Sequence, residues 1–356
     1  MTKRSFDFEF ALFSRRDALK AGGAAAVAGT VAGCDALNLP AVDLIDEVPP
    51  ITPQEDFYLQ HCCGTPSIDP ATFTLEITYE GEVLATIDRD FVESLEARTR
   101  EHTLQCIGAR PRFLFIGNAV WTGLPFSEVL SLAIVGDDSG YVVPDDVVEL
   151  RFACADGYYE NLPPTDLDDG GDDGTGPLWL VWGMNDEELS VSHGAPFRFL
   201  TPGRYGTQNP KWVTTLELAK ELSTGYWAED FRGSWSDEAR YLTNGMILSP
   251  PNMAALGADT IRIVGSAFAG KRGVTRVEVT TDGRRTWTDA EITYQGDPGS
   301  HVWTLWRYDW VLDSPGDYAI QCRVTDEDGN VSDPDPAGTA DKDGYNGGME
   351  ITVRIT

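Results

Sequence analysis

The chain reads as an α+β domain followed by an all-β, immunoglobulin-like sandwich. Three observations carry that reading. The length, 356 residues, suits about two domains. Over residues 53–245 short alternating stretches are mixed with stretches of helical spacing. From about Ile261 the pattern changes to repeated short strands separated by turn residues, which is how a sandwich reads.

Taken in order, folded sequence is expected to begin near Pro53. Residues 73–79, F-T-L-E-I-T-Y, alternate apolar and polar side chains, Glu80-Gly81 turns the chain, and 83–87 make a second short strand. Residues 90–97 have helical spacing, with Phe91 and Leu95 on one face. The stretch 103–123, T-L-Q-C-I-G-A-R-P-R-F-L-F-I-G-N-A-V-W-T-G, centres on Cys106 at a strand-to-loop junction. Gly108 lets the backbone turn tightly there. N-A-V-W-T-G-L-P closes that stretch and opens a short helical pattern over 126–132.

Residues 147–153 and 177–181 read as strands. Between them, Asp156-Gly157-Tyr158-Tyr159 reads as a loop reaching into a site. Residues 166–176, D-L-D-D-G-G-D-D-G-T-G, read as a solvated acidic loop, because their carboxylates lack the regular spacing of a calcium loop. Residues 182–212 are dense in Gly, Arg and aromatic side chains, 216–223 lead out of the first domain, and 225–244 form a bridge. The sandwich, 246–356, has expected strands at 261–264, 274–280, 287–292, 302–311, 318–324 and 349–355. Asp282-Gly283 is a hairpin signal, and Asp326-Glu327-Asp328-Gly329 is a second turn. Trp303, Trp306 and Trp310 are expected in the sandwich core and interface.

A formal net charge of -30 and a pI near 4.3 are spread over the whole length. So acidic a surface suits a salt-adapted, halophilic protein. It argues against nucleic acid as a partner, because phosphate backbones need a basic face. Residues 1–34 are expected to be a targeting segment. Ser14-Arg15-Arg16-Asp17-Ala18-Leu19-Lys20 looks like a twin-arginine export signal, and 21–32 form an apolar run too short to span a membrane. Val31-Ala32-Gly33-Cys34 looks like a lipobox, with an uncleaved anchor as the alternative. Residues 35–52 then read as a tether, so the expected location is the outer face of the cytoplasmic membrane, lipid-anchored at Cys34. Cys62, Cys63, Cys106, Cys154 and Cys322 follow, an odd number with no C-x-x-C pair. The adjacent Cys62 and Cys63 have Cys154 or nothing to pair with, and the sequence leaves their pairing open.

At this point several segments resemble, in order, the sulfite oxidase family of molybdenum enzymes. L-Q-C-I-G at 104–108 resembles the family's L-x-C-x-G, and N-A-V-W-T-G-L-P its A-x-W-x-G-V-P/L. Residues 182–198, W-G-M-N-D-E-E-L-S-V-S-H-G-A-P-F-R, resemble M-N-G…L…H-G-x-P-x-R. Pro202-Gly203-Arg204-Tyr205-Gly206, then Lys211-Trp212, resemble P-G-x-x-G…K-W. The sandwich resembles the family's dimerisation domain, including V-E-V-T-T-D-G-R-R-T-W and a closing G-Y-N at 344–346.

The resemblance implies a molybdopterin-binding α+β domain of sulfite oxidase type, an Ig-like dimerisation domain, a homodimer and a molybdenum–molybdopterin cofactor. It makes Cys106 the protein ligand to the metal, and a soft thiolate suits molybdenum already held by the pterin dithiolene. It makes His193, Arg198 and Lys211 binders of the cofactor's phosphate end, with Gly203 letting backbone amides approach. Asp156, Tyr158, Trp182 and Arg110 are the candidate catalytic, pocket-lining residues. The implied reaction moves an oxygen atom on a small oxyanion or sulfur compound. Its alternatives are reduction of a sulfoxide or another S- or N-oxide, and a cell-surface binding lipoprotein that has lost the cofactor. Without a C-x-x-C-H haem motif, the electron partner is expected to be a separate cytochrome, blue-copper protein or quinone system. Three departures bear on substrate. Gln60, Pro111 and Trp182 align with an Arg, an Arg and a Tyr of the sulfite-oxidising members. Arg110, Arg112 or Arg232 could supply cations from neighbouring positions.

Overall fold

The computed structural model describes residues 44–356 apart from 110–113, 169–175, 230–234, 237, 258, 313, 335–339 and 342. The export segment, the lipobox Cys34, Arg110, Pro111, Arg112 and Arg232 lie outside the described residues. In chain order the first domain carries β1 (Leu75–Tyr79), β2 (Glu82–Ile87), α1 (Arg89–Glu93), β3 (Arg98–Gln105), β4 (Ile116–Pro125) and α2 (Phe126–Leu130). It continues with β5 (Glu149–Cys154), β6 (Tyr159–Leu162), β7 (Trp179–Met184), β8 (Glu187–Glu188), β9 (Arg198–Leu200), β10 (Val213–Ala219) and α3 (Tyr226–Glu229). The second domain holds β11 (Asn244–Ser249), β12 (Ala254–Leu256), β13 (Thr260–Phe268), β14 (Val274–Thr280), β15 (Thr288–Asp289) and β16 (Glu291–Tyr294). It closes with β17 (Thr304–Val311), β18 (Gly316–Asp326), β19 (Ala340–Asp341), β20 (Gly344–Tyr345) and β21 (Glu350–Ile355).

One sheet of the first domain has the order β2-β1-β10-β5-β6, with β1 and β10 parallel. The other runs β3-β4-β7-β8, and β9 pairs with β7. Leu75, Ile77, Phe126, Phe152, Phe197, Phe199 and Leu216 form the core between them. The alternation of β1 places Leu75 and Ile77 there, and the Asp88 carboxylate caps α1 by accepting from the Phe91 amide at 2.8 Å. The helix ends sooner than its spacing suggests, because β3 begins at Arg98. The sandwich stacks β11-β13-β17-β16 on β12-β21-β18-β14-β15. Trp303, Trp306 and Trp310 are all in its core, as their sequence context predicts.

The polar strand β3 gave no sequence signal, and its role explains why. Its inner half is buried at the seam between the domains, where polar groups must find partners. The Thr103 amide donates to the His301 carbonyl (2.7 Å), and Thr103 Oγ1 accepts from the Trp303 amide (2.9 Å). Gln105 and Asn244 exchange side-chain amide bonds of 2.9 and 3.1 Å. The last residues of the expected tether belong to the same seam. Asn118 Nδ2 and Trp303 Nε1 both donate to the Pro50 carbonyl, at 2.9 and 3.0 Å, and Val48 is buried in the sandwich core. Residues 44–52 are therefore a strap across both domains.

A pH dependence of stability follows from the seam. His102 is fully buried, its ring lies 5.3 Å from that of His301, and neither of its ring nitrogens has a partner among the described residues. Burial, then the neighbouring His301 and Arg100, hold this imidazole well below 6.5. Below about pH 6.5 the unfolded chain takes up a proton that the folded chain does not, so stability falls as pH falls. The slope assigned to His102 approaches about 1.4 kcal/mol per pH unit. Urea unfolding of wild type and His102→Leu across this range should show the variant with the flatter profile; parallel profiles would contradict the assignment.

Candidate active site

Cys106 is placed where β3 ends and a turn begins. Its amide donates to the Phe115 carbonyl (2.9 Å), and its own carbonyl accepts from the Ala109 amide (2.9 Å). The thiol is half-buried and belongs to no disulfide. A Cβ on Gly108 would sit 3.8 Å from Cys106 Sγ, so the glycine keeps that side of the sulfur open. Gly206 comes equally close from the other segment: a Cβ there would lie 2.9 Å from the Tyr58 hydroxyl and 3.7 Å from Cys106 Cα. The loop after β9 thus packs directly against the cysteine.

That loop is held from beneath by a buried ion pair. Arg204 Nε and Nη2 donate to the two Asp166 carboxylate oxygens at 2.6 and 3.1 Å, and both side chains are almost fully buried. The expectation of a solvated acidic loop is therefore corrected at its first residue. Asp166 is drawn inward because it neutralises the arginine of P-G-R-Y-G; residues 169–175 of that loop lie outside the described residues. Asn209 completes the support by accepting from the Thr201 amide (2.7 Å) and donating to the Arg204 and Tyr205 carbonyls (3.2 and 2.8 Å). Gly203, buried with φ +78°, makes the turn. Tyr205 reaches into the second domain, where its hydroxyl accepts from the Leu242 amide (3.2 Å) and its ring packs on Tyr241. A Cβ on Gly344, the first residue of G-Y-N, would collide with the Tyr205 hydroxyl at 2.4 Å. The sandwich therefore braces the loop that flanks Cys106.

The three predicted cofactor-binding side chains do converge. Arg198 and Lys211 face each other across an isolated antiparallel bridge. Gly194 lies between their stems, where a Cβ would meet Arg198 Cβ at 2.9 Å and Lys211 Cγ at 3.2 Å. Its φ of +112° also requires glycine. Arg198 donates to the His193 and Asn209 carbonyls (3.2 and 3.0 Å), and its guanidinium lies 5.4 Å over Trp121. Lys211 donates to the Ser192 carbonyl (2.9 Å) with its ammonium 4.2 Å over the Trp212 ring. His193 Nε2 is 2.9 Å from the Gln54 carbonyl.

This cluster is electrostatically frustrated. Burial, then Arg198, pushes Lys211 down to about 7, and burial brings Arg198 to about 10. Burial and the two cations lower His193 to about 4. Among the described residues, buried Arg198 Nε has no hydrogen-bond partner, and neither has His61 Nδ1. Donors left in this state fit an anion such as a phosphate, which restores the lost solvation and completes the bonds. With a thiol at one end and buried cations at the other, the residues fit a molybdopterin. Cys106 would hold the metal, while Arg198, Lys211 and His193 would hold the anionic end. Such a cofactor, when bound, supplies two-electron oxygen-atom transfer.

The candidate catalytic residues are divided by the structure. Asp156 joins the cluster: it lies on the β5–β6 turn, its carboxylate is 3.9 Å from Cys62 Sγ, and Lys211 lies within its field. Burial raises its carboxyl above the usual range. Tyr158 instead anchors the loop, donating to the Thr207 carbonyl at 2.6 Å. Trp182 is not brought to Cys106. It stands on β7 between the partners of Thr122 and Gly123, which pair with the opposite end of β3 at Thr99 and Arg98. That separation is about 20 Å of extended chain. Tyr58, missed from sequence, is close to both Cys106 and Arg198, and burial, then Cys106, raises its phenol well above 10. Cys62 and Cys63 pair with each other, an outcome the sequence left open, and Cys154 is a buried thiol.

Comparison with known proteins agrees with this architecture. The oxidoreductase molybdopterin binding domain matches residues 62–227, and the Mo-co oxidoreductase dimerisation domain matches 240–339. Mitochondrial sulfite oxidase of Drosophila melanogaster is 27% identical over 326 residues, covering 79% of this chain and 55% of that protein. Sulfite oxidase of Gallus gallus is 26% identical over 331 residues, covering 79% and 68%. The chain thus spans about half the length of the Drosophila relative. The sulfane dehydrogenase SoxCD from Paracoccus pantotrophus has the same fold, with a TM-score of 0.68 at 21% identity over 91% of this chain and 92% of that one. With both domain families matched in order over most of the chain, and with the bracing loop packed against the thiol and the cations gathered beside it, the protein belongs to the sulfite oxidase family of molybdopterin-binding oxidoreductases.

Proposed function

We propose that the protein transfers an oxygen atom on a small sulfur compound at a cofactor held by Cys106, and passes the electrons to a separate carrier. Oxidation in this sense consumes one water and releases two protons and two electrons per oxygen added. The observation that carries the reading is the chain of neighbours that joins the thiol to the cations: Tyr58 lies close to both Cys106 and Arg198, and Lys211 to both Arg198 and Asp156. The substrate is less anionic than sulfite. Gln60 stands where a cation would serve a dianion. The raised carboxyl of Asp156 also favours a second direction, reduction of a sulfoxide or another S- or N-oxide, in which protons must be delivered to the departing oxygen. The export signal at 14–20 and the lipobox ending at Cys34 support action at the outer membrane face, and the dimerisation domain supports a homodimer.

The test is a substrate panel assayed in both directions with artificial electron carriers, on wild type and on Gln60→Arg/Pro111→Arg. Restored cations should raise sulfite kcat/KM by about tenfold or more, the worth of one charged hydrogen bond. An unchanged value, with sulfite already the best wild-type substrate, would overturn the pocket argument.

A further inference from the structure

The disulfide between the adjacent residues Cys62 and Cys63 belongs to no part of the function described so far. Its position is fixed by three independent contacts. The preceding residue, His61, packs edge-on against Trp212, with ring centroids 6.2 Å apart. The Ala155 amide donates to the Trp212 carbonyl (2.8 Å), which ties the β5–β6 turn to the same tryptophan. Asp156 on that turn then places its carboxylate 3.9 Å from Cys62 Sγ. Trp212 in turn carries the Lys211 ammonium on its face. The pair therefore sits beside Lys211, at the edge of the cationic cluster. Its two sulfurs differ: Cys62 is half-buried against Asp156, whereas Cys63 is exposed.

We propose that the Cys62–Cys63 disulfide is a thiol-exchange site at the edge of the cationic cluster, attacked at Cys63 and released at Cys62. The exposed sulfur is the one that a small thiol can approach, and the sulfur beside the carboxyl is the one that leaves into a protonating environment. In the first step the incoming thiolate bonds to Cys63 Sγ and the Cys62–Cys63 bond breaks. The Cys62 thiolate takes a proton from the Asp156 carboxyl, whose hold on a proton burial strengthens. The products are a mixed disulfide on Cys63 and a thiol on Cys62. A second thiol attacking the mixed disulfide yields the oxidised disulfide of the small molecule and leaves both protein cysteines reduced. Two thiols are then oxidised by two electrons in all, and the protein disulfide accepts them. The nearby Cys154 takes no part, because burial holds its thiol well above 9 and keeps it protonated.

The site stands or falls independently of molybdenum, so it is tested by mass spectrometry on the folded protein rather than by turnover. The protein is incubated with reduced glutathione, quenched with acid, alkylated and digested. The expected result is an unalkylated Cys62–Cys63 disulfide before exposure, a glutathione adduct on Cys63 afterwards, and no labelling of the buried Cys154 and Cys322. Cys62→Ser should lack the disulfide, and its Cys63 thiol should form a lasting adduct with oxidised glutathione, because no neighbouring thiol can expel it. Asp156→Asn should slow the wild-type exchange several-fold. After reduction, phenylarsine oxide should bridge Cys62 and Cys63. Alkylation of both cysteines before any thiol is added would overturn the proposal. So would a disulfide that survives excess glutathione, an adduct on Cys62 in place of Cys63, or an unchanged rate in Asp156→Asn.

Discussion

Asp166→Asn is expected to destabilise the protein by about 3–5 kcal/mol, the cost of stranding one member of a buried ion pair. Arg204, almost fully buried, would lose the carboxylate that it pairs with. The loss should fall on the loop that flanks Cys106, because Arg204 sits between Gly203 and Tyr205. Urea unfolding supplies the magnitude, and cofactor content of the surviving folded fraction supplies the location. Arg204→Met should cost a similar amount for the mirrored reason. A loss below about 1 kcal/mol in both variants, the range of an exposed pair, would show that the loop does not depend on the pair.

The second large effect has opposite signs in two assays. Lys211 is held at about 7 in the folded chain against 10.5 in its ordinary state. Between those values the unfolded chain binds a proton that the folded chain does not, so cofactor-free stability rises with pH through that window. The penalty is fully present below about pH 7. Lys211→Met removes the buried charge and should stabilise the cofactor-free protein at neutral pH by about 1–4 kcal/mol. The same change should weaken cofactor retention by about 10–100-fold, since a charged hydrogen bond to the anionic end is lost. Stability is thus traded for binding at one side chain. A variant that is both less stable and equally well loaded would contradict this account of the cluster.

Much of the molecule was legible because its devices are local. The alternation of β1, the Asp282-Gly283 turn and the strands of the sandwich follow from periodicity and turn chemistry. Cys106, His193, Arg198 and Lys211 were legible through motifs that resemble the family's, and Gly194 shows what one of those motifs needs, since only glycine fits between the Arg198 and Lys211 stems. What escaped was non-local. β3 is polar because it is shared with the sandwich, β11 is buried along its whole length and so lacks alternation, and Asp166 looks like any other carboxylate until Arg204 meets it. Asp326 escaped for the same reason. It does start the expected turn, but it is also buried and bonded to Thr243 and Arg272, at 2.5 and 2.9 Å. Trp182 was misassigned because a motif gives order along the chain, whereas the register of β7 on β4 decides which end of the sheet a residue occupies.

The most direct test of the central claim is the count of sulfur atoms around molybdenum by X-ray absorption. Wild type and Cys106→Ser would be produced in a host that makes the cofactor and compared at equal metal load. The account predicts one sulfur fewer in the variant, with the metal otherwise retained by the pterin and the cationic cluster. Identical sulfur counts, or folded wild type that carries no molybdenum from such a host, would contradict it.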